Sequence, residues 1–289
     1  MNGEPTTGFL RAPDPAVLVL RGDDAGEFLN GQVSNDVAAL ADGESKYALL
    51  LTPKGKLRAD MVIAKDGDET LVVTTAEHLP AIAHTIDTYM IGYFFSTEDG
   101  TGEWALIHLV GEHDLGPLAI PVVELTSPLG VDLLVEATDA DALIRELKTK
   151  GIPELSEQEH AAARIANRVP TFGAELNQDT FPAEAGLEQR AVSFEKGCYV
   201  GQETVARMHY KGKPNRHLRV LAAEQPLTSG AIVTAADGRE LGSVGTTVTG
   251  EDGTTTALAI LRREGETGDV VEAGGVPATI VQTEPSEMG

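Results

Sequence analysis

The sequence predicts an α+β protein that ends in a small antiparallel β-barrel or sandwich. Up to about residue 213, hairpin-forming strands alternate with helical segments, a mixture that does not fit a doubly wound parallel sheet. After that point, only short apolar strands follow, separated by Asp-Gly and Gly-Gly turns. A chain of 289 residues is also long enough for two domains. We therefore predict an α+β region over residues 1–213 and a β-barrel over residues 214–289.

Each element of the N-terminal region has its own local signal. Apolar runs bounded by turn residues predict strands at residues 17–21, 47–51, 57–64, 71–74, 104–110 and 131–136. Acidic caps and helical apolar periodicity predict helices that begin near residue 24 and that span residues 77–90 and 139–150. Ser156, with Glu159 three residues later, forms a capping-box pattern, which predicts a helix through about Ala166.

The C-terminal region shows no helical periodicity. Its predicted strands lie at residues 217–223, 231–234, 241–248, 255–261, 270–272 and 277–281. Short strands joined by glycine turns are typical of a small closed or stacked β structure.

Charge and cysteine content exclude several classes of protein. Lysine and arginine total 22 against 45 acidic residues, and the net charge of −23 disfavours nucleic acid and anionic membranes as partners. One cysteine excludes an internal disulfide and a cysteine-only metal site, and the histidine spacings match no metal motif, so we predict no metal. The apolar runs are far shorter than the roughly 20 residues of a membrane span, and residues 1–10 lack a secretion signal. We therefore expect a cytoplasmic protein.

Basic residues concentrate in one stretch of this acidic chain. Residues 190–219 contain seven basic and two acidic residues, a local charge of 7 − 2 = +5. Such an island indicates a site for an anion; the alternative is that its cations pair with acids from elsewhere in the fold. A second cluster comprises Lys54, Lys56 and Arg58. We predict that it shares one cavity with Lys196, Arg207 and Lys211.

The most informative stretch is Lys196-Gly197-Cys198-Tyr199-Val200-Gly201-Gln202-Glu203. Its glycines permit close backbone approaches, and its last two residues open a predicted helix that continues to about Tyr210. A nearby lysine and a helix N-terminus favour the thiolate, so Cys198 is a candidate nucleophile or redox thiol. The alternative is that Cys198 is a small buried hydrophobe. No Walker loop, dinucleotide motif, Gly-x-Ser-x-Gly elbow or Cys/His triad order is present.

This stretch resembles the signature of the YgfZ-type folate-binding proteins, which are relatives of the glycine-cleavage T-protein (aminomethyltransferase). Further blocks agree in order along the chain: residues 28–37, the Pro-Lys-Gly-Lys turn of residues 53–56 followed by Asp60, and residues 172–176 and 182–187. The resemblance extends over about residues 17–219, and the strand-rich remainder fits the C-terminal barrel of the family.

The resemblance implies a fold, a cofactor and a role. The fold would be a T-protein-like ring of α+β subdomains, two of them within residues 1–213, with a C-terminal antiparallel β-barrel and a central folate channel. The cofactor would be tetrahydrofolate or a derivative. The role would be to support assembly or repair of iron–sulfur proteins and, through them, tRNA modification, with iron–sulfur client or assembly proteins as partners. Direct binding of nucleic acid and of membranes is not expected.

The resemblance also implies site residues, with Cys198 as the reactive one. The implied folate-binding residues are Asn35, Asp36, Lys54, Asp60, Glu184, Lys196, Gly197, Tyr199, Gly201, Gln202, Glu203 and Arg207. Cations suit the anionic glutamate tail of a folate, and a carboxylate suits the N–H donors of the pterin. One position departs from the family pattern, because Ala166 stands where a pterin-binding Glu is usual. Asn167 and Glu184 are the alternatives for that role.

Two classes of function follow. In the first, the protein is a folate-linked maintenance factor that acts on iron–sulfur proteins through Cys198. In the second, it is a folate-dependent aminomethyl or one-carbon transferase in which Asp60 or Asp36 supplies an acid. The Lys-Gly-Cys-Tyr stretch favours the first, because the T-protein lacks it. A third possibility is a binding module that has lost both activities.

Overall fold

The computed structural model describes residues 6–13 and 15–281, so residues 1–5, 14 and 282–289 lie outside the described part. The chain divides into two compact units, and each is built from two separate stretches. The first unit comprises Met1–Leu155 and Glu188–Thr204, and the second comprises Ser156–Leu187 and Val205–Gly289. Every helix in the described residues is too short or too polar to span a membrane.

In its described residues, 6–13 and 15–155, the first stretch of the first unit contains two sheets and three helices. Its strands are β1 (Gly8–Arg11), β2 (Pro15–Arg21), β3 (Ser45–Leu51), β4 (Leu57–Asp66), β5 (Glu69–Thr75), β6 (Ser96–Asp99), β7 (Trp104–Val110), β8 (Val123–Ser127) and β9 (Gly130–Glu136). Its helices are α1 (Ala25–Gln32), α2 (Leu79–Tyr89) and α3 (Ala140–Thr149).

A five-stranded antiparallel sheet has the order β3-β4-β5-β2-β6. Both of its faces are buried, which explains why β2 is a continuous apolar run rather than an alternating one. Leu18 and Leu20 pack on one face with helices α1 and α2, whereas Val17 and Val19 pack on the other face.

A four-stranded antiparallel sheet, with the order β1-β7-β9-β8, covers that second face. Leu106 and Leu134 point towards the five-stranded sheet, and Ile107 points the opposite way, towards Leu143 and Leu147 of α3. The first unit is therefore layered as helices, sheet, sheet and helix.

The second unit centres on a closed β-barrel with a separate apolar core. Its elements are α4 (Glu157–Ala166), a 3₁₀ turn (Pro182–Ala185), and strands β10 (Arg216–Ala223), β11 (Ile232–Thr234), β12 (Glu240–Thr249), β13 (Thr255–Arg262), β14 (Val270–Ala273) and β15 (Val276–Val281). The capping box is present, since the Ser156 hydroxyl accepts from the Glu159 amide at 3.2 Å and the Glu159 carboxylate accepts from the Ser156 amide at 2.7 Å.

The second stretch of the first unit, Glu188–Thr204, contains one short helix and the first residues of another. Helix α5 (Glu188–Ala191) leads into the loop that carries Cys198, and helix α6 (Gln202–Lys211) follows this loop and continues past the division at residue 204. The first unit therefore depends on residues that come long after β9 in the chain.

The structure contains the helices and strands that the sequence predicts, and a few more. The α+β class, every predicted strand and helix, and the C-terminal antiparallel barrel are confirmed. Strands β1, β6 and β8 were not predicted. The predicted single boundary near residue 213 lies close to the start of the barrel at Arg216, but the compact units interleave along the chain. The last eight residues of the predicted barrel region, 282–289, lie outside the described residues.

Candidate functional site

The loop that carries Cys198 packs backbone against backbone on the turn between β3 and β4. Gly201 has φ +88°, and a Cβ placed there would lie 2.7 Å from the Thr52 carbonyl oxygen. Gly55 has φ +78°, and a Cβ there would lie 2.9 Å from Thr204. Both positions therefore require glycine, for conformation and for space. The Pro-Lys-Gly-Lys turn and the cysteine loop form one structural feature, here called the glycine contact.

Lys196 fastens the same loop to the end of helix α1. Its Nζ donates to three backbone carbonyl oxygens, those of Asn30, Val33 and Asn35, the last two at 2.8 Å. Burial lowers the pKa of Lys196 to about 8, and the nearby Asp36 carboxylate acts against this shift. All three of its N–H donors are therefore used within the protein, which gives the ammonium a structural role; that Lys196 also contributes to folate binding stays a prediction.

Residues 34 and 35 complete this attachment. The Ser34 hydroxyl donates to the Ala191 carbonyl at 2.6 Å and accepts from the Leu49 amide at 3.0 Å. The Asn35 side-chain amide donates to the Tyr47 carbonyl at 2.9 Å, and its side-chain oxygen accepts from the Asp36 amide. Asn35 therefore supports the loop rather than offering its amide to a ligand, whereas the half-buried Asp36 carboxylate lies close enough to Lys196 to shift the pKa of that ammonium.

Cys198 is exposed, and the next residue is buried. The alternative that Cys198 is a buried hydrophobe is therefore wrong. The Tyr199 side chain is buried, and its ring centroid lies 5.2 Å from the Lys196 ammonium. Burial raises the pKa of Tyr199 to about 12. Lys196 and Tyr199 thus hold the loop from both sides of Cys198, so that the loop presents the thiol to solvent.

The remaining predicted residues of this stretch are close to Cys198 in the chain. Gly197 is exposed, and Gln202 and Glu203 form the first turn of α6, with the Glu203 side chain exposed. Lys54 is exposed on the turn that makes the glycine contact.

Asp60 is the centre of a polar cluster at the middle of β4. Its Oδ2 accepts from the Tyr47 hydroxyl at 2.8 Å, and its Oδ1 lies 2.8 Å from His78 Nδ1. The Thr74 hydroxyl donates to the Asp60 backbone carbonyl at 2.7 Å. The Asp60 side chain is 26% exposed and the His78 side chain only 5%. Among these groups, Asp60 therefore offers a partly accessible carboxylate with buried polar support.

The cluster has a marked electrostatic consequence for Tyr47. Burial raises the pKa of Tyr47 well above its ordinary value, and the Asp60 carboxylate adds to this shift, while Arg190 opposes it. The Tyr47 hydroxyl therefore remains a hydrogen-bond donor at neutral pH.

Glu184, in the second unit, is buried and forms an ion pair with Arg216, whose side chain is 35% exposed. Its two carboxylate oxygens accept from Nε and Nη2 of Arg216, at 3.0 and 2.8 Å, and one of them also accepts from the Phe181 amide. The prediction that Glu184 replaces the pterin-binding Glu is not supported by this geometry, since both oxygens are occupied and the side chain is buried. For Arg216, the alternative that island cations pair with acids is correct.

The position that departs from the family pattern also lies in the second unit. Ala166 is exposed at the end of α4 and brings no carboxylate. The Asn167 side-chain amide donates to the Ala163 carbonyl at 3.0 Å and so closes the helix end. Arg168 follows with φ +50°, the only positive φ at a non-glycine residue in the described chain.

Arg207 and Lys211 are exposed on the part of α6 that belongs to the second unit. Arg219 donates to the Gly265 carbonyl at 3.2 Å, within the same unit. The predicted cavity shared with Lys54 and its neighbours stays a prediction. Of the cations predicted to face that cavity, Lys196 has its ammonium hydrogen-bonded to three backbone carbonyls.

Sequence reasoning did not identify Tyr47 or His78. The register of the β3–β4 hairpin pairs Leu49 with Asp60, which leaves Tyr47 diagonally adjacent on the same face. That register follows from the turn of residues 52–56, so Tyr47 was within reach of a sequence argument. His78 was not, because it precedes α2 and reaches Asp60 only through the packing of that helix.

A cavity of about 700 Å³ lies elsewhere on the first unit, beside Arg21, Lys65 and Glu69, and contains none of the predicted site residues. Within the described part of the chain, no group of three or more His, Cys, Asp or Glu side chains is arranged to hold a metal ion.

Comparison with known proteins shows which proteins this chain resembles in sequence and in fold. A family model for the GCVT N-terminal domain matches residues 16–125. The chain is 26% identical over 285 residues to the tRNA-modifying protein YgfZ of Colwellia psychrerythraea, covering 91% of this chain and 87% of that protein. It is 25% identical over 233 residues to an aminomethyltransferase of Shouchella clausii, covering 70% of this chain and 63% of that protein.

Among solved structures, the glycine cleavage system aminomethyltransferase T from Bartonella henselae matches with a TM-score of 0.78 and 19% identity, covering 96% of this chain and 85% of that one. The fold is therefore that of the T-protein, with α+β subdomains followed by a β-barrel. Within this class, the chain is similar to the YgfZ-type relatives of the T-protein.

Proposed function

We propose that the protein is a folate-binding factor that supports the assembly or repair of iron–sulfur proteins and, through them, tRNA modification, with Cys198 as its reactive group. The observation that carries the proposal is the presentation of Cys198: the thiol is exposed, while Lys196 and Tyr199 on either side of it are anchored. The YgfZ relatives, which bear the name tRNA-modifying protein, support the same role.

The anchored loop suits a thiol that acts on a macromolecule. A large partner cannot enter a narrow cleft, so the group that meets it must project from the surface. The glycine contact and the Lys196 hydrogen bonds limit how far the loop can move, which lowers the entropy lost when a partner docks. Thiolates are the ordinary protein ligands of iron in iron–sulfur clusters, so an exposed thiol suits an iron–sulfur client or assembly protein. We expect this work to take place in the cytoplasm.

The residues present fit a reduced folate in part. The Asp60 carboxylate can accept from N–H groups, and exposed Lys54 of the same unit carries charge of the sign that attracts a glutamate tail. Ala166 and Glu184 do not supply the usual pterin carboxylate, the first because it lacks one and the second because Arg216 occupies it. We therefore assign tetrahydrofolate or a derivative as the cofactor, with Asp60 as the carboxylate that meets it.

The first test is genetic. A bacterial strain that lacks its own YgfZ-type protein receives the wild-type gene, Cys198→Ser, or the control Ser229→Ala, which alters an exposed residue of the second unit. We expect wild type and Ser229→Ala to restore growth and the activity of an iron–sulfur enzyme, and Cys198→Ser to fail at equal protein abundance. Full restoration by Cys198→Ser contradicts the proposal.

An aminomethyl transferase is the second candidate, favoured by the T-protein fold and by the Asp60 carboxylate. The purified protein is incubated with tetrahydrofolate and an aminomethyl-loaded carrier protein of the glycine cleavage system, and methylenetetrahydrofolate is measured. Turnover that disappears in Asp60→Asn and persists in Cys198→Ser supports this candidate. Our primary proposal predicts no turnover.

A further inference from the structure

Three side chains from different elements meet in the polar cluster of β4. Tyr47 comes from β3, Asp60 from β4, and His78 from the residue before α2. The Tyr47 hydroxyl and His78 Nδ1 each lie 2.8 Å from a different oxygen of the Asp60 carboxylate. The Asp60 backbone is held as well, through the bond from the Thr74 hydroxyl at 2.7 Å. The carboxylate is therefore contacted at both oxygens, by a hydrogen bond from Tyr47 and by an ion-pair contact with His78, and its main chain is hydrogen-bonded as well.

We propose that Tyr47 and His78 are positioning residues that hold the Asp60 carboxylate as a fixed acceptor, selective for an N–H group of the bound ligand. This inference rests on the proposed function, in which that ligand is a reduced folate. In this assignment Asp60 meets the ligand, because its side chain is 26% exposed and that of His78 only 5%, and the hydroxyl of Tyr47 is engaged by Asp60.

The selectivity follows from counting donors and acceptors. An ionised carboxylate has about four acceptor positions; the Tyr47 hydroxyl uses one of them, on Oδ2, and the His78 ring makes an ion-pair contact with Oδ1. The remaining positions accept but do not donate, so a ligand must bring N–H or O–H groups to the exposed edge of Asp60. A ligand carboxylate or phosphate placed there meets like charge instead. The exposed edge of Asp60 therefore accepts the N–H-bearing end of a folate and repels its anionic tail.

Burial keeps the Tyr47 hydroxyl protonated, so that it stays a hydrogen-bond donor to Asp60. The pKa of Tyr47 is raised by its burial and by Asp60, so the hydroxyl keeps its proton throughout the neutral range. Removing that hydroxyl leaves Asp60 with one restraint fewer and frees its side chain to rotate, which costs binding free energy when the ligand must fix it again.

A purely structural role makes a different prediction. If the cluster only joins β3, β4 and α2, then its variants lower the free energy of unfolding but leave ligand affinity in the folded protein unchanged. The test therefore measures affinity and stability side by side, and it includes a variant that restores the donor. Asn can place its side-chain N–H near the position of His Nδ1, so His78→Asn is that variant, and His78→Leu removes the donor.

The probe is 5-formyltetrahydrofolate, and its affinity for the full chain is measured by titration calorimetry. We expect Tyr47→Phe, which removes a hydrogen bond to Asp60, and His78→Leu, which removes an ion-pair contact with it, each to weaken binding about tenfold, which corresponds to roughly 1.4 kcal/mol. His78→Asn should stay within about threefold of wild type, and Asp60→Asn should weaken binding more than either single loss. Tyr89→Phe and His84→Asn, matched changes at exposed positions of α2, should leave affinity unchanged.

A second readout needs no ligand. Ultraviolet titration of tyrosine ionisation, with Tyr47→Phe subtracted, reports Tyr47 alone, and Asp60→Asn should shift its ionisation to lower pH because the nearby negative charge is gone. Wild type that binds no folate overturns the folate proposal and this assignment together. Wild type that binds, with unchanged affinity in Tyr47→Phe and His78→Leu, overturns this assignment alone, as does an unshifted Tyr47 titration in Asp60→Asn.

Discussion

Replacement of Lys196 by Met tests whether this lysine holds the cysteine loop. Met keeps most of the apolar stem but removes the ammonium, which leaves the carbonyl oxygens of Asn30, Val33 and Asn35 without their shared donor. A hydrogen bond from a charged donor contributes about 1.5–3 kcal/mol, and the three share one group whose burial is itself unfavourable. We therefore expect the free energy of unfolding to fall by about 2–3 kcal/mol, less than the sum of three bonds.

The assay is urea unfolding followed by circular dichroism, with Lys54→Met as the matched control on an exposed lysine of the same unit. The control should change stability by no more than about 0.5 kcal/mol. A loss below that figure in Lys196→Met would refute the anchoring role. An equal loss in both variants would show that any lysine-to-methionine change here has this effect.

The pH dependence gives the same variant a second signature. The pKa of Lys196 is about 8 in the folded protein, against an ordinary value of 10.5, so the unfolded chain binds more protons between these pH values. The free energy of unfolding of wild type should therefore rise with pH across that window, relative to Lys196→Met, which has no such group. A difference that shrinks across the window contradicts the assignment of the shift to burial.

Three further predictions concern the glycine contact, the Glu184–Arg216 ion pair and the thiol. Gly201→Ala should lower the free energy of unfolding by about 3 kcal/mol, because the residue has a positive φ and its Cβ would clash with backbone. Gly253→Ala, at a position with φ +82° and open space, should lower it by only about 1 kcal/mol, and equal losses in urea unfolding would contradict the contact. Glu184→Gln should lower the free energy of unfolding by about 1 kcal/mol, because it removes the negative charge that faces the partly exposed Arg216; no change in unfolding midpoint would count against a stabilising pair. Cys198 should react with iodoacetamide in the native protein at a rate within about threefold of that in urea, as exposure implies; reaction only after unfolding would refute the presentation of the thiol.

The elements that the sequence predicted are those whose signal is local. The β3–β4 hairpin follows from two apolar runs around a Pro-Lys-Gly turn, and the barrel strands follow from repeated short runs between glycine turns. Strand β6 was missed because all four of its residues, Ser96–Asp99, are exposed and polar, so nothing in its pattern distinguishes it from a loop. It is a strand because β2 offers an open edge to pair with.

The candidate site was predictable in its residues but not in their roles. The sequence singled out Lys196 by its charge, and charge alone suggests an anion. The structure instead directs the ammonium to carbonyls of residues 30–35, which lie about 160 positions earlier in the chain. Glu184 was misjudged for the same reason, since its partner Arg216 lies 32 residues away. Such assignments depend on tertiary contacts that no local pattern encodes.

The central claim is that Cys198 supports iron–sulfur-dependent tRNA modification, and the most direct measurement is the level of such a modification. Transfer RNA from a strain lacking its YgfZ-type protein is analysed by mass spectrometry after expression of wild type or Cys198→Ser at equal abundance. Our account predicts that wild type restores an iron–sulfur-dependent modified nucleoside and that Cys198→Ser leaves it at the level of the empty strain. Equal restoration by both would contradict it.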